Sequence, residues 1–469
     1  MSTTTGRRRQ TLTVQMFSEP ALPGCATTAD LAALQVRLEA GGIELIVGTI
    51  VDMAGVIRAK SVPAERVESF HRRGLGASPT FNAFCVDGAG IAFTPAIGVT
   101  GDLRLRLEPG SLAAIGDQIA WGPVEFFDQQ GRPDPGCARG RLRTVVAEAQ
   151  IAGVDVLVGS ELEFVLTDLT GERLTAGTWL PYGAAPLLAC SAFHTDLLRT
   201  FTAAGLPVEQ VHAEYGTDQF EISLPPAPPL RAADQVVLAR VLLGRVAGRH
   251  GFGISFSPLP FVGAAGNGAH LHISFVSDGQ PLLSGGSGPH GLQPAGASAL
   301  GGIVTGLPEF IAVLAGSPLS GSRLGPGTWA GAYACWGLEN REAAVRLCGA
   351  TPGDPSGTNI EVKCIDPTAN PYLAVATVLG LALRGIELAA ALPDEVAVNP
   401  SSIPGDPVPR LSHDPAEAAE LLANSALAQQ ILGGRIVESL LAVRRWELAA
   451  YAETPLEDMT VALRRVWSA

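Results

Sequence analysis

The sequence predicts an α+β protein of two units, a small N-terminal one ahead of a larger one in which helices flank a sheet. Three observations carry this. Strand-like and helix-like stretches alternate without a βαβ repeat of fixed period. A polar Gly/Pro-rich stretch, DQQGRPDPGCARGR at 128–141, divides the chain near its first quarter. Several apolar runs carry polar residues two apart, and on a strand such residues share a face. A chain of 469 residues with 47% hydrophobic content can bury the cores of two or more domains.

Taken in order, residues 1–27 read as a flexible arm, rich in Thr, Arg, Pro and Gly without periodicity. TADLAALQVRLEAGG has an Asp near its start, helical apolar spacing and a terminal Gly pair, the marks of an amphipathic helix. IELIVGTIVDMAGVIRAKSVP reads as two strands around a Met-Ala-Gly turn. Strand-like segments continue to about Gly122, which places a small α+β domain at 28–125. The larger domain, 135–469, has helix candidates in RLRTVVAEAQIAG, AFHTDLLRTFTAAG, AADQVVLARVLLGRVAGRHG and ANPYLAVATVLGLALRGIELA, and a helical C-terminal part. DGQPLLSGGSGPHGLQPAGAS reads as a Gly-rich surface loop.

Composition excludes several function classes. The net charge is −13 and charged residues make up 16%, which argues against a nucleic-acid-binding surface. Seven scattered cysteines without a CxxC pair suit reduced thiols in a cytoplasmic enzyme rather than a disulfide framework or zinc site. The basic N-terminus is not followed by a long apolar segment, so no secretory signal is expected. The longest apolar helix-like run, Tyr372 to Leu383, is too short to span a bilayer and reads as a buried core helix. Walker A, HExxH and GxSxG motifs are absent, and RLGPGTWAG does not follow a strand as a dinucleotide loop would.

The chemistry lies in the same-face pairs. Glu161 and Glu163 stand in GSELEFVL, His270 and His272 in GAHLHIS, Glu361 and Lys363 in NIEVKCI. Two carboxylates side by side repel unless a cation or proton separates them. HAEYGTDQFEI adds Glu214 and Glu221, with Gly216 permitting a turn between them. Five carboxylates and one imidazole, His270, suit Mg²⁺ or Mn²⁺ rather than structural zinc. Two such ions could bridge a nucleotide's phosphates. Arg323, Arg341 and Arg346 could bind an anionic substrate. Taken singly, each piece has a structural explanation. An ExE pair can be a solvated edge face, Arg341 and Glu342 can be a weak surface ion pair, and Lys363 can be a chance survivor in an Arg-biased chain. Their coincidence on apolar strands of one domain argues for a site.

Together these motifs resemble the glutamine synthetase superfamily, type I architecture, from about residue 28 to the C-terminus. GSELEF, HAEYGTDQFEI, GNGAHLHIS, the Arg323 segment, NREAAVR and IEVK with DPTANPYL follow the family order. The resemblance implies an N-terminal β-grasp domain, then a catalytic domain whose curved antiparallel sheet, flanked by helices, forms a funnel. It also implies a dodecamer of two stacked hexameric rings. By motif position it implies Glu163, Glu214 and Glu221 as ligands of one metal ion and Glu161, His270 and Glu361 as ligands of a second. Gly266 and Arg323 would hold the amino acid's backbone groups, Arg341 and Arg346 would face the transferred phosphoryl group, and His272 and Ser274 would lie near the nucleotide. The implied reaction phosphorylates the γ-carboxylate of L-glutamate from ATP, then replaces phosphate by an amine nitrogen.

Departures from the family pattern point to the amine. The family's flap motif ends in a Glu that shields the intermediate and helps bind ammonium; Trp329 stands there in this chain. SPTFNAFCVDG stands where the small domain usually supplies an ammonium-binding Asp. An indole in place of a carboxylate suits an alkyl- or arylammonium better than ammonium; the alternative is that Trp329 only packs its loop. Lys363 replaces an Arg, Ala265 an Asn and Leu259 a Lys. The run GTWAGAYACWGLENREA with IEVK is closest to the glutamine-synthetase-like branch that includes γ-glutamyl-amide ligases. No Tyr occurs between Asp394 and Ala450, so control by adenylylation is not expected. The expected activity is therefore a γ-glutamyl-amide ligase in the cytoplasm, with L-glutamate, ATP and a small organic amine as partners and no nucleic acid or membrane. Authentic glutamine synthesis and a non-catalytic ring-forming protein are the alternatives.

Overall fold

A computed structural model describes residues 26–88, 90–175, 178–405 and 407–468. Most of the expected N-terminal arm, residues 1–25, lies outside the described residues. Thr27 opens the first helix, Thr28–Ala40, as its cap. The Thr27 side chain accepts from the Asp30 N–H while the Asp30 carboxylate takes the Thr27 N–H, a reciprocal capping box. The buried Leu31, Leu34 and Leu38 form its inner face at spacings of three and four.

Six strands follow: β1 (Leu45–Val51), β2 (Ile57–Pro63), β3 (Leu75–Ala77), β4 (Leu103–Leu107), β5 (Ala113–Ala114) and β6 (Ile119–Phe127). They order as β2-β1-β6-β4-β3, with β5 also on β6; only β1 and β6 run parallel. The expected turn after β1 is built by Asp52, whose Oδ1 accepts the N–H groups of Ala54 and Val56. It docks on the rest of the chain. Asn370 Nδ2 donates to the Val51 carbonyl at 2.9 Å, and the Trp467 indole N–H to the Ala54 carbonyl at 2.9 Å. Gly55 has φ +79°, and a Cβ there would stand 1.9 Å from the Thr368 carbonyl oxygen.

Within the polar stretch 128–141, Cys137 caps the helix Ala138–Ile151 and the last four residues form its first turn. Beyond it lies a nine-stranded sheet: β7 (Val154–Thr167), β8 (Gln210–Ala213), β9 (Gln219–Ala227), β10 (Gly253–Ser255), β11 (Leu271–Ser277), β12 (Gln280–Pro281), β13 (Tyr333–Leu338), β14 (Ala343–Cys348) and β15 (Asn359–Val362). The order is β13-β14-β15-β11-β7-β9-β8, with β10 paired to β7 and β12 to β11, and all pairs except β13–β14 are antiparallel. The four predicted helices are present at Ala138–Ile151, Ser191–Ala203, Pro229–Arg249 and Pro371–Glu387. Asn370 caps the last, its side chain accepting from the N–H groups of Tyr372 and Leu373, with Pro371 in the first turn.

Two expectations need correction. The Gly-rich stretch after β11 is not a surface loop throughout. Leu282, Leu283 and Leu292 are buried, and its last residues start the helix Pro294–Gly306. Small residues there let helices approach closely: a Cβ at Gly302 would meet the Leu381 carbonyl at 2.5 Å. That helix runs on into a 21-residue helical stretch, Pro294–Leu314, which among the described residues is the one long and apolar enough to cross a membrane, whereas the run 372–383 is not; 67% of its apolar 18-residue window is buried inside the protein, as in a core helix.

Candidate active site

The sheet register assembles the predicted residues. On β7, Glu161 and Glu163 sit two apart as expected. Glu163 lies opposite Glu221 of β9, and Glu221 lies opposite His212 of β8. On the other side of β7, His272 of β11 pairs with Gly159 and with Glu361 of β15, and Glu361 pairs with Arg346 of β14. One sheet face thus carries carboxylates from β7, β9 and β15, imidazoles from β8 and β11, and a guanidinium from β14.

His270 is the hinge of this face. Its Nδ1 lies 2.8 Å from Glu161 Oε2 and 3.6 Å from Glu361 Oε1. Its Nε2 lies 3.2 Å from Arg323 Nη2, which can only donate. His272 Nε2 stands 3.3 Å from Glu161 Oε1 and its Nδ1 2.8 Å from Asn359 Oδ1. Glu361 is buried between two cations, with Lys363 Nζ at 3.0 Å from Oε1 and Arg346 Nη1 at 3.1 Å from Oε2. Arg346 also donates from Nε to Glu339 at 3.0 Å.

Glu163 accepts the Gly268 N–H and the Gln219 amide, each at 2.9 Å. Glu214 Oε1 is 3.0 Å from His212 Nε2, and Glu221 Oε1 is 3.7 Å from the same nitrogen. Gly216 does lie in the turn between them, but the left-handed residue is Asp218, with φ 62°. Gly216 is constrained by space: a Cβ would stand 2.6 Å from Gln219 Oε1. Gly266 has the same character, since a Cβ would meet the Pro258 carbonyl at 2.3 Å and Arg323 Cγ at 3.0 Å. Arg323 is buried and its Nη1 has no partner, an open donor inside the site. Ser274 lies two residues beyond His272 on β11. Arg341 is exposed, and Trp329 is 48% exposed on a left-handed backbone, φ 55°.

Potential ligand atoms converge in three groups, each within 4.8 Å: Glu161, Glu221 and His270; Glu161, His272 and Glu361; His212, Glu214 and Glu221. Five of the six expected metal-binding side chains fall in these groups, in triads that differ from the motif-based partition; Glu163 is in none of them and lies opposite Glu221 across the β7–β9 pair. His212 and Gln219 were missed from sequence. His212 carried a usable signal, since His-x-Glu has the same two-residue spacing as the other pairs. Gln219 carried none, because its amide matters through tertiary contacts with Glu163, Asn267 and the Gly266 carbonyl.

The electrostatics test whether this face suits a divalent cation. Burial, reinforced by the carboxylates of Glu161, Glu163, Glu214 and Glu361, pushes Glu221 up to about 10. Burial also raises Glu163, against the pull of His270 and Arg323. Burial opposes ionisation of Glu161 and Glu361 too, but His270 and His272 hold Glu161 well below its ordinary value, and Lys363 with the two histidines brings Glu361 to about 2. Crowded carboxyls that cannot all ionise alone, with oxygen donors in the majority, fit a hard divalent cation such as Mg²⁺ or Mn²⁺.

The profile of the glutamine synthetase catalytic domain matches residues 135–461. The chain is 36% identical over 450 residues to the gamma-glutamylpolyamine synthetase GlnA3 of Streptomyces coelicolor, covering 93% of this chain and 96% of that protein. It is 28% identical to a glutamine synthetase of Methanosarcina mazei, covering 91% of this chain and 95% of that one. Among solved structures, one described as a novel glutamine synthase homolog superposes with TM-score 0.81 at 30% identity, covering 90% of this chain and 98% of its own. The GmaS/ADP complex superposes with TM-score 0.80 at 26% identity, covering 90% and 97%.

Proposed function

Because the chain belongs to the glutamine synthetase family, whose members are ATP-dependent glutamate–amine or glutamate–ammonia ligases, we propose that it forms a γ-glutamyl amide from L-glutamate and an organic primary amine. The observation that carries the choice of amine is Trp329. Trp329 is half exposed, and by the family resemblance its indole stands in the loop where a carboxylate is expected, which favours an organic cation over ammonium. The gamma-glutamylpolyamine synthetase relative supports the same class. Residues 28–125 and 135–469 are proposed as the two domains, and a cytoplasmic dodecamer of two hexameric rings as the assembly.

The residues divide by charge. Glu161, Glu163, Glu214, Glu221, His270 and Glu361 would hold two Mg²⁺ or Mn²⁺ ions, with His212 and His272 beside them. Bound there, such ions would neutralise the charge on the nucleotide's phosphates. The open Nη1 of Arg323 would take the α-carboxylate of glutamate, with the Gly266 backbone lining the same wall. Arg346 and Lys363, on either side of Glu361, and Arg341 at the rim would hold the anionic oxygens of the γ-phosphoryl group. His272 and Ser274 are placed towards the nucleotide.

The reaction balances in two displacements. A γ-carboxylate oxygen attacks the terminal phosphorus of ATP, and ADP leaves. The amine nitrogen then attacks the acyl phosphate carbon, a C–N bond forms, phosphate departs with the C–O bond, and the nitrogen sheds its extra proton. Phosphate release with L-glutamate, ATP and Mg²⁺ across ammonium, alkylamines, ethanolamine, polyamines and aniline-like amines tests this. Turnover with an organic amine and little with ammonium is expected. Turnover with ammonium alone would make the chain a glutamine synthetase and refute the role given to Trp329.

A further inference from the structure

We infer that Glu342 is a positioning residue that fixes the Trp329 loop and so sets which amine the site accepts; the amine part rests on the reading above. The loop runs between two residues of the site. At its start, Arg323 is held by His270 and by the Lys363 carbonyl, 3.2 Å from Nη2 in each case. At its end, Gly331 has φ +74°, and a Cβ there would lie 2.9 Å from Lys363 Cβ, so the returning backbone is pressed against Lys363. The span from 324 to 330 must bridge these ends and present an indole at its crest.

Glu342 holds that crest. Its Oε2 accepts the Gly327 N–H and its Oε1 the Trp329 N–H, both at 3.1 Å. Thr328, between them, donates its hydroxyl to the Arg323 carbonyl at 3.1 Å and to the Gly325 carbonyl at 2.6 Å. A large aromatic residue with φ near +55° is uncommon and persists only where its surroundings over-determine it. The two-pronged carboxylate supplies that determination. Glu342 is only 6% exposed, so its charge has left bulk water and both oxygens are engaged with the loop.

The tether has a fixed base. The Glu342 N–H donates to Asn340 Oδ1 at 3.1 Å, and Asn340 Nδ2 donates to the Val396 carbonyl at 2.7 Å. Glu342 directly precedes β14, the strand that carries Arg346. The indole is therefore referenced to the strand that positions a phosphoryl-binding guanidinium. Without the carboxylate the crest loses both amide anchors while Arg323 and Gly331 keep theirs. The loop would stay attached but the indole would wander.

The test pairs a substrate-free readout with a kinetic one in the full-length protein. Glu342→Ser removes both acceptors; Glu342→Gln keeps the volume and one acceptor, and guards against a folding failure of the first. Amide exchange over 324–331 in the free enzyme should rise by about tenfold or more in Glu342→Ser and by less in Glu342→Gln. The KM for the preferred organic amine should rise by about tenfold, and preference over ammonium should fall, while the KM values for L-glutamate and MgATP move by less than about twofold. Unchanged exchange in both variants would overturn the anchoring, and equal loss for all three substrates would overturn the selecting role. A wild-type enzyme that uses ammonium alone would refute the organic-amine reading together with that selecting role. The exchange result would still decide the anchoring by itself.

Discussion

Replacing Glu221 by Gln should stabilise the metal-free protein and abolish its gain in stability from a divalent cation. Glu221 lies 5% exposed among four other carboxylates, which with burial raise it from 4.5 to about 10. The sign follows from linkage. A carboxyl raised on folding takes up a proton as the chain folds, so its contribution is fully present below pH 4.5 and is lost as pH rises through about 10. At pH 8 the uptake costs ~1.36 kcal/mol for each unit above the unfolded value, a ceiling of about 5 kcal/mol. Neighbouring carboxyls share the strain, so a gain of about 1–3 kcal/mol is expected for Glu221→Gln in EDTA at pH 8. In the wild type, Mg²⁺ at about a hundredfold its Kd should add about 2.7 kcal/mol, an increment the variant loses along with turnover. Urea unfolding with and without Mg²⁺ measures both. A variant less stable than wild type in EDTA, or a wild type indifferent to Mg²⁺, would refute the reasoning.

Three further outcomes are expected. Lys363→Met strips Glu361 of a buried partner at 3.0 Å, which should cost about 3–5 kcal/mol in unfolding experiments and remove detectable turnover. Gly55→Ala combines φ +79° with a Cβ 1.9 Å from the Thr368 carbonyl, so a loss of at least about 3 kcal/mol is expected by denaturant melt. Burial raises Glu447 to about 7 against the pull of Arg444, and raises Asp52 to about 6 against Arg58. Both stabilise most in the protonated form, so metal-free stability should fall between pH 4.5 and 7, and Glu447→Gln should flatten that slope in a pH series of melts.

The sequence was most legible where local pattern and chemistry coincide. Alternation placed Glu161 and Glu163 on one strand face, and the Asp near the first helix marked its start. The 3.6-residue pattern located the four helices. The helix Pro294–Gly306 was hidden because its glycines and alanines read as loop; it exists through close packing against the helix Pro371–Glu387, which no local signal reports. The turn between Glu214 and Glu221 was ascribed to its glycine, whereas the left-handed residue is Asp218, whose carboxylate binds Leu174 N–H and the Thr175 hydroxyl 43 residues or more away. The same limit applies to Gln219 and Glu342. Gln219 acts through the Glu163 carboxylate and the Gly266 carbonyl, and Glu342 through two loop amides, partners that only the folded chain brings near.

The most direct test of the ligase reading is to follow oxygen. L-Glutamate labelled with ¹⁸O in its γ-carboxylate would be incubated with ATP, Mg²⁺ and the best organic amine, and the products read by mass spectrometry. A γ-glutamyl amide of that amine, with one label transferred to the released phosphate, is the predicted result. Phosphate without label, or γ-amide formed only from ammonium, would contradict it.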